Sequence, residues 1–273
     1  MHYKIFSNNE RIYLNLSYIF FNTSQMKINK LLIIALVISN ICMAQQYDGV
    51  KIEKSKVDKN NVIYQIGKTF MYSYSIQKNE NKYFLVNNTK DSLTTNEVDK
   101  NKIDAIKMSV IKPKMFQRIN KNQTEIRYNF EPNPKFFSST GVVENKENVW
   151  IHPPRIGFLN ALETCPFPYI KLNKPVGYTW TDKMSIGDHW SNKQWGEWKG
   201  RLLLDYTYVI VGKEAIKTSL GSLDCYKINS TAKSNIGESK LVAFYNDKYG
   251  FVKLEYTLMN GIQIDINLVE VSE

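Results

Sequence analysis

Two runs of strict alternation near the C-terminus constrain the fold of this chain more than anything else in its sequence. Val252, Leu254, Tyr256 and Leu258 alternate with Lys253, Glu255 and Thr257; Ile262, Ile264, Ile266 and Leu268 alternate with Gln263, Asp265 and Asn267. A period of two places each apolar row on one face of a strand. The residues between, Met259-Asn260-Gly261, decide how the rows meet. A two-residue Asn260-Gly261 turn would pair Leu258 with Gln263 and set the rows on opposite faces. A three-residue loop over 259–261 pairs Leu258 with Ile262 and Tyr256 with Ile264, so both rows share a face. That loop wants a left-handed residue at its third position, where Gly261 stands. The pattern selects a bulged antiparallel hairpin with one buried face.

The same grammar runs through the chain: short aromatic and β-branched runs separated by Asn, Asp, Gly and Lys. Residues 201–211, 223–232 and 240–245 extend the sheet, with turns at Gly221, Gly237 and Gly250. Earlier strands are expected over 62–66, 69–76, 83–86, 103–111, 125–130 and 149–152, while 78–102 is polar enough for loops and an edge. The best short helical candidate is 156–163, ended by Pro166 and Pro168. The expected fold is mainly β, a curved antiparallel sheet or open barrel with little helix.

Residues Met26 to Gln45, MKINKLLIIALVISNICMAQ, read as an export signal. Lys27 and Lys30 form a positive start, 31–41 an apolar core, and Ala44 supplies the small residue before the cut. A membrane span would need about 20 apolar residues, and Ser39-Asn40 interrupts a shorter run. Ile41 before Cys42 disfavours lipidation at that cysteine. Met26 already opens a complete signal, so residues 1–25 read as a misplaced start. Cleavage after Ala44 then leaves a single periplasmic or secreted domain over 45–273. It is not an integral membrane protein after processing.

That domain of about 230 residues is long enough for one large β core. The full chain carries a formal net charge of +10. Four of the basic and one of the acidic residues precede Gln45, which leaves a mature charge of about +7. The basic residues are scattered lysines, and only Arg118, Arg127, Arg155 and Arg201 remain among the arginines. A nucleic-acid site would want clustered arginine and stacking aromatics, so nucleic acid is not an expected partner; anionic lipid or glycan surfaces stay open. Two cysteines remain, Cys165 and Cys225. They read either as a disulfide formed in an oxidising compartment or as two buried thiols.

All five tryptophans lie between Trp150 and Trp198, four of them (Trp180, Trp190, Trp195, Trp198) in one polar, Gly-containing stretch. Such a group could stack sugars or line an apolar ligand site, or cap the mouth of a sheet. His152 and His189, with the two cysteines, lack short zinc spacing, and no metal or cofactor is expected. Cys165 with a histidine base is formally a nucleophile arrangement, yet no nucleophile elbow, zincin, Walker or dinucleotide motif is present. Asp182, Asp188 and Glu197 stand near the tryptophans as carboxylates for glycan hydrolysis. No catalytic residue is assigned.

The runs Ser139-Thr140-Gly141-Val142-Val143-Glu144-Asn145, Val149-Trp150-Ile151-His152-Pro153-Pro154-Arg155 and Pro166-Phe167-Pro168 resemble the TapB-like (DUF3108-like) group of exported bacterial proteins. So do Leu220-Gly221-Ser222-Leu223-Asp224-Cys225-Tyr226 and the hairpin Phe244-Tyr245-Asn246-Asp247-Lys248-Tyr249-Gly250-Phe251-Val252-Lys253-Leu254. The resemblance spans roughly 136–270, less of 45–135, and implies an envelope location and a β-rich fold; it brings no activity. The expected function is a non-enzymatic envelope protein binding a hydrophobic or lipid-like ligand. The rivals are an interaction protein using sheet edges or Trp-rich loops on an envelope partner, and a glycan hydrolase using Asp188 and Glu197. An enclosed apolar cavity would favour the first, a filled core the second, and convergent carboxylates the third.

Overall fold

One antiparallel sheet dominates the computed structural model, which describes residues 50, 52–53, 56–87, 93–113, 118, 120–133 and 135–273. The export signal and the segment before it lie outside the described residues. The strands are β1 (Thr69–Lys78), β2 (Asn81–Leu85), β3 (Leu93–Thr94), β4 (Ala105–Val110), β5 (Thr124–Glu131), β6 (Phe137–Glu144), β7 (Asn148–Ile151), β8 (Tyr169–Lys171), β9 (Thr179–Gly187), β10 (Arg201–Thr218), β11 (Gly221–Ser234), β12 (Gly237–Asn246), β13 (Gly250–Thr257) and β14 (Gln263–Ser272). Their order is β8-β7-β6-β5-β4-β1-β14-β13-β12-β11-β10-β9, with β2 and β3 branching from β1. Two meanders, β4–β8 and β9–β14, are therefore joined through β1, which pairs with both β4 and β14.

The C-terminal hairpin has the three-residue register. Tyr256 pairs with Ile264 and Thr257 with Gln263. Leu258 N–H donates to Ile262 O at 2.8 Å, Gly261 N–H to Leu258 O at 2.9 Å, and Gly261 takes φ 82°. Leu254, Tyr256, Leu258, Ile262, Ile264, Ile266 and Leu268 are all buried. Strands β9 and β10 show the same alternation, with Trp180, Asp182, Met184 and Ile186 inward on one and Leu202, Leu204, Tyr206, Tyr208 and Ile210 on the other.

Among the described residues no pairing links the end strands β8 and β9, so the sheet is curled rather than closed. Side chains bridge the ends instead. Tyr169 of β8 meets Trp180 of β9 edge-on with ring centroids 5.5 Å apart, and Trp180 stacks on Tyr208 at 5.1 Å. Such pairs contribute about 0.5–1.5 kcal/mol each beyond their buried area.

The inner face is covered by residues 157–164, one position on from the expected helical segment 156–163. It forms a 3₁₀ helix, Gly157–Thr164. Pro153-Pro154 before it and Pro166 after it bound the segment. Phe158, Leu159, Ala161 and Leu162 are fully buried, and Ser239 of β12 donates to Thr164 O at 2.7 Å.

Residues 62–66 depart from the expected strand. Glu144, at the end of β6, takes the place of a neighbouring strand: its carboxylate accepts from the backbone N–H groups of Val62, Ile63 and Tyr64 at 2.8–3.2 Å. A side chain satisfies donors that a ladder would otherwise satisfy. Strand β9 is the converse departure, since the polar, Trp-bearing stretch gave no strand signal and yet nine residues of it pair with β10.

Candidate functional site

The four tryptophans do not form one site. Trp180 is buried in β9 among Tyr169, Tyr178 and Tyr208. Trp190, Trp195 and Trp198 belong to the loop after β9, and seven strand positions from 180 to 187 amount to about 23 Å. Trp195 is buried edge-on against Phe158, its Nε1 donating to Trp190 O at 2.9 Å. Trp190 is half-buried beneath the Arg155 guanidinium, 5.8 Å from the ring centroid.

Asp182 stands apart from the other two carboxylates. Asp182 is buried on β9, whereas Asp188 and Glu197 are exposed in the following loop. Asp188 Oδ2 accepts from Gly200 N–H at 2.9 Å, which closes that loop. Six strand positions separate Asp182 from Asp188, about 20 Å, against the roughly 5–9.5 Å of a glycosidase pair.

Of the two readings of the cysteines, the structure has the second: Cys165 and Cys225 are free, buried thiols. Cys165 is hydrogen-bonded to Ser239, which pairs with Ala232 on β11, and Cys225 lies seven positions further along that strand. Those seven positions amount to about 23 Å of strand, whereas a disulfide needs Cα atoms within about 7 Å. Burial pushes the Cys165 thiol up to about 12, which keeps it protonated and a poor nucleophile.

A polar group that no motif announced lies beneath β7. His152 and Glu163 are both buried, with Nε2 and Oε1 3.3 Å apart, and Arg155 Nη1 reaches the same Oε1 at 3.9 Å. His152 Nδ1 donates to Pro153 O at 2.9 Å. With Nδ1 donating, the neutral imidazole turns its acceptor Nε2 towards the Glu163 carboxyl group. Burial, then the Arg155 guanidinium, pushes the imidazole down to about 3. Tyr128 OH donates to His152 O at 2.9 Å, tying β5 to the same point. Among the described residues no three His, Cys, Asp or Glu side chains converge as metal ligands. His189 is exposed and packs on Trp190.

Two kinds of concavity distinguish the inside of the sheet from its outside. Within the curl, an apolar cavity among Tyr72, Ile106, Tyr128, Leu254 and Ile266 holds about 20 Å³. Outside, two adjoining open depressions of about 650 and 480 Å³ meet at Lys146 and Leu172. Lys56 and Lys59 line the first, and Lys171, Lys174 and Tyr178 the second.

No protein-family model matches the chain, and no curated protein matches it. Among solved structures, the chain is similar to a candidate lipoprotein from Parabacteroides distasonis (14% identity, 77% of this chain and 97% of that one, TM-score 0.40). It is similar also to an exported-protein candidate with a YmcC-like fold from Bacteroides fragilis (12%, 77% and 97%, TM-score 0.41). A third is the hypothetical lipoprotein YmcC from Escherichia coli (10%, 80% and 94%, TM-score 0.38). Among the described residues no helix is long and apolar enough to cross a membrane.

Proposed function

We propose that this chain is an exported, non-enzymatic envelope protein of TapB-like character that acts through its outer surface rather than by enclosing a lipid. One observation supports the surface reading over the carrier: the apolar cavity of about 20 Å³ inside the sheet has room for about one water. A lipid-sized ligand needs about 300 Å³ or more. Asp188 and Glu197 are exposed in one loop, which Asp188 closes by accepting from Gly200 N–H, and this structural use gives the hydrolase reading no comparable support. Export rests on the signal at Met26 to Ala44, which places the mature protein in the periplasm or outside the cell. Two measurements test the reading. N-terminal sequencing of protein from the native envelope begins at Gln45, and titration with a fluorescent fatty-acid analogue shows no saturable binding. An intact residue 1–44 segment would contradict the misplaced start and the cleavage after Ala44, and stoichiometric uptake of the analogue would restore the carrier.

A further inference from the structure

We propose that the free edge of β10 beyond its bulge takes up an extended strand of a partner envelope protein in which apolar and acidic residues alternate, which deepens the surface reading above and rests on it. Strand β10 runs to Thr218, but its pairing with β9 ends at Val209. Beyond the bulge between Ile210 and Gly212 it pairs with β11 alone, as far as Thr218 with Gly221. The short turn over 219–220 makes Thr218 and Gly221 a hydrogen-bonded pair, and such pairs alternate along an antiparallel ladder. Gly212, Glu214 and Ile216 therefore bond to β11, while Lys213, Ala215 and Lys217 turn their N–H and C=O groups to the other side. Among the described residues no strand lies there, and all three are exposed.

The neighbouring open edges are met by side chains. On β9, Gly177 N–H donates to Ile210 O and Ile210 N–H to Tyr178 O, which by the same alternation turns the backbone of Lys183 and Ser185 away from β10. Asp182 Oδ1 accepts from Lys183 N–H at 2.8 Å, and Arg201 Nη2 donates to Ser185 O at 2.9 Å. On β11, Asn246 Nδ2 donates to Asp224 O at 2.9 Å. Polar side chains placed on an edge in this way block strand addition. Among the described residues no such cap stands along 213–217. Val176 and Val211, both exposed, adjoin where β9 leaves this edge.

The faces of the edge specify what it accepts. Period two puts Lys213, Ala215 and Lys217 on one face and Glu214 and Ile216 on the other. Lys213 Nζ is held 4.0 Å from the Tyr226 ring centroid, and Glu214 is paired with Lys227. Asp224 shares the lysine face but stands opposite Ala215 on β11, away from the edge. An incoming strand meets two cations on one face and Ile216 on the other, so acidic and apolar residues alternate along it. A second copy entering about Ala215 would set Lys213 against Lys217 on both sides, like charges directly opposite.

The test titrates a fluorescent peptide of about seven residues, alternating valine and glutamate, with the protein purified from its envelope and reads anisotropy. This peptide binds saturably, and one alternating valine and lysine does not. N-methylation of the glutamates, whose N–H groups face β10, abolishes binding, whereas N-methylation of the valines leaves it. Ala215→Pro removes an N–H that β11 does not use, and weakens binding about ten-fold or more. Lys213→Glu/Lys217→Glu transfers binding to the valine–lysine peptide. No binding, equal binding of the two peptides, equal effects of the two N-methylations, or a dimer that Ala215→Pro dissolves would overturn the proposal. Any of these, with the N-terminus still at Gln45 and no fatty-acid uptake, removes strand addition at β10 and leaves the surface reading standing.

Discussion

Gly250 shows how one residue can serve the turn and the core at once. It opens β13 at φ 76°, and a Cβ there would run into the Tyr64 hydroxyl, which accepts from Phe251 N–H at 3.2 Å. At Gly261, φ 82°, a Cβ would meet open space. Gly261→Ala thus carries backbone strain alone, about 1 kcal/mol, while Gly250→Ala adds a clash and costs about 2–4 kcal/mol. Urea unfolding of both variants checks the order, and Tyr64→Phe combined with Gly250→Ala recovers part of the loss. His152 supplies the pH dependence. Its folded value near 3 lies below the unfolded 6.5, so the unfolded chain takes up the proton first and the contribution of His152 is lost as pH falls from 6.5 towards 3. Between pH 7 and 5 the His152 contribution falls by about 2 kcal/mol, so the protein loses more stability over that range than His152→Gln does. Equal losses by urea unfolding at the two pH values would contradict the neutral imidazole. Neither residue was legible in this role from sequence. Gly250 read as a turn, but Tyr64 is far away in the chain, and the contact between them depends on the finished sheet. Likewise nothing in Glu163-Thr164-Cys165-Pro166 marks Glu163 as the partner of His152.

The C-terminal hairpin is the element that sequence describes best, because alternation and a single glycine determine its register without help from distant residues. Ile264 is fully buried and Gln263 exposed. Ile264→Ala therefore costs about 2–5 kcal/mol and Gln263→Ala little. Gly261→Val, with a β-branched residue in the left-handed region, costs more than Gly261→Asn. Thermal melts of the four variants rank them, and a Gln263 as costly as Ile264 would contradict the register. Strand β9 was hidden because its outward residues are polar and its inward row includes Trp180 and Asp182, a mixture that resembles a loop. Residues 62–66 erred the other way: their apolar content suggested a strand, but Glu144, distant in sequence, satisfies their N–H groups. The tryptophans illustrate the same limit, since closeness in sequence along an extended strand is separation in space.

At the scale of the molecule, the curl of the sheet, its aromatic seam and the 3₁₀ helix on its inner face pack together around the small apolar cavity among the described residues. The cysteines belong to this scale too. Both thiols are buried in separate regions, so neither alkylates in the native protein and both alkylate once it unfolds, whereas a Cys165–Cys225 peptide in unreduced digests would contradict the fold. Composition made the β class legible and left the interior unread, because whether a curved sheet encloses a chamber depends on its curvature and on what lies across its inner face. Native mass spectrometry of the protein purified from its own envelope tests this most directly. The account predicts the mass of the chain from Gln45 to Glu273 with two free thiols and no bound lipid. A stoichiometric adduct of lipid mass that survives desalting would contradict it.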